Sequence, residues 1–142
     1  MLGDEPRGSL VPIGAAAAIF AVVVIVIAVL TLTGGDGLTD EQRVALAAVG
    51  QNDALQRQDY ADYQHYTCPE EQGTEAEVLG AQRGSSQQRG ARYVDDVTDV
   101  KIDGERASAT VTYHFEKEPN KRTTPLAFAR RDGQWTVCSA YR

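Results

Sequence analysis

From Val11 to Thr33 the chain carries no charged residue and no Asn or Gln, and 19 of these 23 residues are Ala, Val, Ile, Leu or Phe. Nothing else in the sequence restricts the fold as strongly. As a helix at 1.5 Å per residue the run reaches about 34 Å, enough to cross a hydrocarbon core of about 30 Å. Pro12 and Gly14 fall in the first turn, where helix breakers cost least. The β-branched centre, AVVVIVIAVL, lowers helix propensity in water. In lipid the backbone must satisfy its own hydrogen bonds, so a helix is favoured there. A cleaved signal peptide is the rival reading. It has a shorter apolar core of about 7–15 residues, a basic start and a small-residue exit. Here the start, MLGDEPRGSL, holds two acids and only Arg7, and the exit, TLTGGDG, is a poor cleavage site without a lipidation cysteine. The run therefore reads as an uncleaved single-pass anchor.

The overall 42% hydrophobic content hides a split, because outside this run only about a third of the residues are apolar. The remaining polar chain suits one lean domain of about 100 residues and excludes a two-domain enzyme with a large cofactor fold. The formal charge is −6, from 14 Lys+Arg against 20 Asp+Glu, which argues against nucleic acid as a partner. That charge is uneven. Residues 40–79 carry nine acids and two bases, whereas residues 80–142 carry eight acids and eleven bases. Acidic helices facing a mildly basic sheet is the plain reading; a docking surface around Lys121, Arg122, Arg130 and Arg131 is the sharper one.

The only cysteines are Cys68 and Cys138. Structural zinc needs four ligands, and only His65 and His114 could join them, without C-x-x-C spacing, so no metal is expected. A small polar core behind a membrane anchor favours a disulfide, with two buried free thiols as the alternative. A disulfide closing about 70 residues stabilises by about 4 kcal/mol in the chain-entropy model. It also puts the domain outside the cytoplasm. The charge flanks alone are a tie, Arg7 against Arg43. The expected organisation is a cytoplasmic tail over residues 1–10, a transmembrane helix over 11–33, a Gly-rich linker over 34–38 and an extracytoplasmic domain over 39–142.

Within that domain, Thr39-Asp-Glu-Gln42 reads as a capping box opening a helix over residues 40–57, with Val44, Ala47, Ala48 and Leu55 on one face. Gly50 costs this helix about 1 kcal/mol. A short helix over 59–66 places Tyr60 and Tyr63 on one face and Asp59, Asp62 and His65 on another. Thr74-Glu-Ala-Glu77 could cap a third helix carrying Val78 and Leu79, although 70–90 is polar and Gly-rich and Gly84-Ser-Ser86 reads as a loop. After Gly90 the period becomes two. Residues 93–102 read as a strand with a bulge near Asp96, and Ala107, Ala109, Val111, Tyr113 and Phe115 as the buried face of the next. Asp103-Gly104 is read as a tight hairpin. A third strand over 123–131 follows a Pro119-Asn120 loop, with Leu126 and Phe128 in phase. Asp132-Gly133 turns into a fourth over 134–141, where Trp135, Val137 and Tyr141 alternate. Helices followed by a four-stranded antiparallel meander give an α+β layer fold.

Several stretches together carry a resemblance: Tyr66-Thr67-Cys68-Pro69 after the Tyr-rich helix, V-x-D-V-x-I-D-G-x-x-A-x-A-x-V from Val97 to Val111, and L-x-F-x-R-R-D-G-x-W-x-V-C from Leu126 to Cys138. The domain is similar to the nuclear transport factor 2-like superfamily, the cone-shaped, cystatin-like α+β roll. In particular it resembles small single-pass membrane-anchored actinobacterial members of the Mce-associated type. The resemblance implies helices closing one end of a curved sheet, with room for a pocket, and a binding or accessory role without an assigned reaction.

Some relatives of that fold are isomerases, dehydratases or cyclases, so the resemblance raises acid–base chemistry. Asp62, His65 and His114 are the candidates, but all three read as residues of solvated faces, and no catalytic residue is assigned. Tyr60, Tyr63, Phe128 and Trp135 are the candidate pocket lining. No nucleophile elbow, phosphate loop or metal constellation appears, so no cofactor is expected. The expectation is an anchored extracytoplasmic interaction or accessory domain of a cell-envelope complex, with an unidentified protein partner and room for a homodimer through the sheet face. The alternative is a small-molecule or lipid-binding pocket protein, and an isomerase- or dehydratase-type enzyme ranks third. A core filled by Trp135, Phe128 and the tyrosines would weaken the pocket alternative.

Overall fold

The computed structural model describes residues 37–141. The anchor run, residues 11–33, lies outside them; among the described residues no helix is long and apolar enough to cross a membrane. Residues Thr39–Arg142 form one compact unit. Its helices come first: α1 (Asp40–Gln56), α2 (Tyr60–His65), a 3-10 turn (Pro69–Glu71) and α3 (Glu75–Arg89). Strands β1 (Arg92–Asp103), β2 (Arg106–Phe115), β3 (Glu118–Arg131) and β4 (Gln134–Val137) follow as an antiparallel sheet in the order β1-β2-β3-β4.

Local chemistry starts each helix. The Thr39 hydroxyl accepts from the Gln42 backbone N–H at 3.2 Å, while the Gln42 side chain accepts from the Thr39 N–H at 2.9 Å. Thr74 and Glu77 repeat this box at the start of α3. Asp59 caps α2 by accepting from the Asp62 N–H at 3.0 Å. Helix α3 runs further than its thin apolar stripe suggests, continuing through Gly84-Ser85-Ser86, which the sequence reads as a loop. Its caps compensate for two glycines, and the chain leaves it at Gly90 with φ +79°.

The sheet shows the expected alternation, with Ala107, Ala109, Val111, Tyr113 and Phe115 buried on β2 and Leu126 and Phe128 on β3. On β1 the inward residues are Arg92, Val94, Val97, Val100 and Ile102. Their spacing of two, three, three and two matches two register shifts, at Val94/Asp96 and Thr98/Lys101. Asp99, at φ +52°, takes the strained position in the second shift, which the sequence did not reveal.

Three boundaries differ from expectation. Asp103 pairs with Arg106, so the first hairpin loop is Gly104-Glu105, with positive φ at Gly104 as a type II′ turn requires. Phe115 pairs with Glu118, so β3 starts before Pro119-Asn120. Pro119 sits beside the irregularity between Tyr113 and Phe115, where a missing N–H does least harm. Strand β4 stops at Val137, four residues earlier than the alternation suggests. The Asp132-Gly133 turn is as expected, with both residues at positive φ.

Helix α1 packs on the inner face of the sheet. Val44, Ala47, Ala48, Ala109, Val111, Leu126, Phe128, Trp135 and Val137 belong to the continuous core, each at most 3% exposed. Beyond β4, Thr67 forms a parallel bridge with Val137: Cys68 donates to the Val137 carbonyl at 2.9 Å and Val137 to the Tyr66 carbonyl at 2.8 Å. Next to this bridge Cys68 and Cys138 are joined as a disulfide, with Cα atoms 4.9 Å apart and a sequence separation of 70. The staple thus fastens the helical half of the chain to the edge of the sheet.

Gly50 has a packing reason. A Cβ there would stand 2.6 Å from the Tyr66 ring. Gly50→Ala gains about 1 kcal/mol of helix propensity but must displace that ring. The expected net result is destabilisation by about 1–3 kcal/mol in denaturant unfolding. The loss should shrink when Tyr66 is already Leu; equal losses in both backgrounds would rule out the clash.

Acid should also weaken the domain. Hydrogen bonding by Arg131 and Arg130 holds the Glu70 and Glu105 carboxyls below their ordinary value of 4.5. Carboxylates with depressed folded values contribute stability above the unfolded value, and this is lost as pH falls through the folded one. Both groups are exposed, so the effect is modest. The unfolding midpoint should be level above pH 4.5 and fall below it. Arg131→Met should reduce that fall.

Candidate binding cavity

Helix α1 and the start of β1 are tied by polar side chains. Asn52 donates to the Arg92 carbonyl at 3.0 Å and accepts from Arg92 Nε at 2.8 Å, and Gln56 accepts from the Arg92 N–H at 3.3 Å. Gln51, also buried, donates to the Thr67 hydroxyl at 2.9 Å, which itself donates to the Tyr63 carbonyl at 2.6 Å. These bonds satisfy polar groups that would otherwise be costly to bury. They also hold α1 at the edge of a partly open cavity of about 310 Å³.

The cavity lies among α1, α2, α3, the first residue of β1 and the segment after Cys138. Leu55, Val78 and Ala81 supply apolar wall; Gln82, Ser85 and Ser139 supply polar wall. The titratable groups lining it are Tyr63, Glu71, Arg92 and Tyr141. The Arg92 guanidinium lies over the Tyr141 ring, 3.9 Å from its centroid, and that ring stands edge-on to Tyr113 at 5.2 Å. Burial pushes the Arg92 guanidinium below its ordinary value and pushes the Tyr63 and Tyr141 hydroxyls above theirs. Among the described residues, Arg92 Nη2 and the Tyr141 hydroxyl are buried without a hydrogen-bond partner. Among the described residues Arg92 has no ion-pair partner, unlike Arg57, Arg122, Arg130 and Arg131. An unsatisfied buried polar group costs about 1–3 kcal/mol, and a buried charge without a counter-charge costs more.

Of the residues expected to line a pocket, Tyr63 does so, and its hydroxyl reaches the Glu71 carbonyl at 3.4 Å. Tyr60 stacks on Tyr63 at 6.0 Å and donates to the Gly73 carbonyl, but it borders a separate open depression. Phe128 and Trp135 fill the core instead; the Trp135 Nε1–H donates to Asp40 at 3.3 Å. The interior beneath α1 is thus filled by these rings, while the cavity lies at the Arg92 end.

The acid–base candidates are scattered. Asp62 pairs with Arg57, and His65 lies edge-on to the Tyr66 ring at 5.0 Å. His114 is half-buried rather than fully solvated, with Nδ1 2.8 Å from Asp95 and its ring against Tyr93 at 5.2 Å. None of the three lines the cavity. Among the described residues no three His, Cys, Asp or Glu side chains are grouped to hold a metal. The basic cluster is largely engaged internally. Arg130 reaches Glu105 at 2.9 Å and Asp40 at 3.2 Å, Arg131 reaches Glu70 at 2.7 Å, and Arg122 reaches Glu118 at 2.7 Å. Two of these pairs join the sheet to the helical half, as the opposite charges suggest.

The sequence did not single out Arg92 or Asn52. One signal was present: Arg92 is in phase with Val94, which puts a cation at the inward end of β1. The alternation places Tyr141 in phase with Trp135 and Val137 but carries no sign of its cavity role.

No protein-family description matches this chain, and no curated protein matches it. Solved structures do. An NTF2-like protein of unknown function from Shewanella oneidensis is 16% identical, with a TM-score of 0.51 over 70% of this chain and 94% of its own. An NTF2-like protein from Campylobacter jejuni, named as a candidate transpeptidase, is 17% identical, with a TM-score of 0.47 over 63% of this chain and 92% of its own. An uncharacterised cystatin-fold protein from Novosphingobium aromaticivorans is 9% identical, with a TM-score of 0.44 over 72% of this chain and 97% of its own. The described part of the chain shares its α+β fold, helices first and an antiparallel four-stranded sheet after, with the NTF2-like protein from Shewanella oneidensis.

Proposed function

We propose that this chain is a membrane-anchored, extracytoplasmic accessory module that works by binding a small molecule in the cavity beside Arg92. The observation that carries the binding role is the coincidence of a cavity of about 310 Å³ with two lining residues, Arg92 and Tyr141, that each bury an unpartnered polar atom. That volume is at the lower end of ligand pockets, which run from about 300 to 1,000 Å³. Apolar wall with a few convergent polar groups is the usual composition of such sites. The uncharged run over residues 11–33 supports the anchor, and the Cys68–Cys138 disulfide supports an oxidising compartment. The resemblance to anchored actinobacterial proteins of the Mce-associated type supports a place in a cell-envelope complex. Binding rather than turnover is favoured because the histidines and Asp62 stand away from the cavity.

Two experiments test this reading. The full chain in zwitterionic nanodiscs is screened by saturation-transfer NMR against small aromatic and aliphatic molecules, neutral and charged. Hits should compete with one another and vanish in Ala81→Trp, which places an indole in the cavity wall. Hits that persist in a folded Ala81→Trp variant would sink the pocket assignment. For location, protease added to spheroplasts expressing the full chain should remove the domain. A fully protected domain would reverse the proposed orientation.

A further inference from the structure

We infer that the ligand of this cavity is a small monocarboxylate, its head group on Arg92 and Tyr141 and its apolar body against Leu55, Val78 and Ala81. This rests on the pocket reading and adds the chemical class. The argument begins with charge. Arg92 is a half-buried cation whose Nη2 is shielded from solvent, whose Nε is engaged by a neutral amide, Asn52, and whose face is covered by the Tyr141 ring. Neither partner neutralises it. The other charged residue lining the cavity, Glu71, is exposed and makes no ion pair with Arg92. No described residue supplies a counter-charge; a ligand anion would, and leaving a charge unpaired where water is largely excluded is expensive.

Geometry narrows the anion. With Nε held by Asn52 and the guanidinium carbon over the Tyr141 ring, the group is positioned before any ligand arrives. A planar fork matches a planar carboxylate, and a phenolic hydroxyl adds one further donor. One cation balances one negative charge. A phosphate dianion would leave a charge uncompensated beside Glu71, so the lining disfavours it. The remaining wall at Leu55, Val78 and Ala81 accepts a short hydrocarbon or aromatic body.

The test uses shape-matched pairs on the full chain in zwitterionic nanodiscs: phenylacetate with phenylacetamide, and 4-phenylbutyrate with 4-phenylbutyramide, plus phenyl phosphate. Affinities are read by titration calorimetry or NMR. The acids should bind at least about 10-fold more tightly than their amides, the scale of a charge-assisted hydrogen bond. Phenyl phosphate should bind more weakly than the acids. Tyr141→Phe keeps the ring under the guanidinium and removes only the hydroxyl. It should weaken the acids about 3–10-fold and leave the amides unchanged. Arg92→Met should abolish the preference for acid over amide, and Arg92→Lys should restore part of it. If Arg92→Met does not fold, Tyr141→Phe and Arg92→Lys still decide the matter. Equal binding of acid and amide overturns the carboxylate class while the pocket reading stands. Tighter binding of phenyl phosphate, or an acid preference unmoved in both Tyr141→Phe and Arg92→Lys, also overturns it. Absence of binding by every probe overturns the inference and the pocket reading together.

Discussion

The apolar side chains by which helix α1 joins the core of the sheet, Val44, Ala47 and Ala48, are all buried and none is larger than valine. That seam sets how closely helix and sheet approach, and the rest of the domain depends on it. A close approach lets Asn52 reach both the carbonyl and the side chain of Arg92. At the other end it brings Asp40 to Arg130 and to the Trp135 Nε1–H. Gly50 repeats the logic on a different face of the helix, where only hydrogen leaves room for Tyr66. Interiors packed to crystal-like density do not tolerate an added methyl at such points.

The Cys68–Cys138 staple addresses a second problem, the exposed edge of a short last strand. β4 has only four residues, and its free side would offer unpaired backbone groups. The bridge between Thr67 and Val137 covers part of that edge, and the disulfide beside it keeps the cover in place. A lean core has reason to use such a cross-link, because burial alone leaves small domains with little margin.

The sheet was legible because strand periodicity is a local property. Ala107 to Phe115 could be read residue by residue, and the Asp132-Gly133 turn announced itself by composition. The second irregularity of β1 was hidden because an aspartate at positive φ, Asp99, looks like any other exposed acid in a strand. Helix α3 was only half legible: the capping box at Thr74 was visible, but a helix that buries none of its residues gives no apolar stripe to follow to Arg89. The cavity was least legible. Residue type alone does not separate cavity lining from core, and Phe128 and Trp135 belong to the core. The lining that matters comes from Arg92 and Tyr141, 49 positions apart in sequence, and only the tertiary fold brings a guanidinium onto that ring.

The ends of α3 give the cavity a kinetic character separate from its affinity. This helix forms one wall, buries no residue of its own, and is flanked by Gly73 and Gly90, both at positive φ. Elements with few buried contacts are the first to open in native-state fluctuations. Arg92, by contrast, is fixed by α1 and by the Tyr141 ring. On the proposed binding role, entry and exit would be governed by the wall that opens easily, and recognition by the wall that stays fixed.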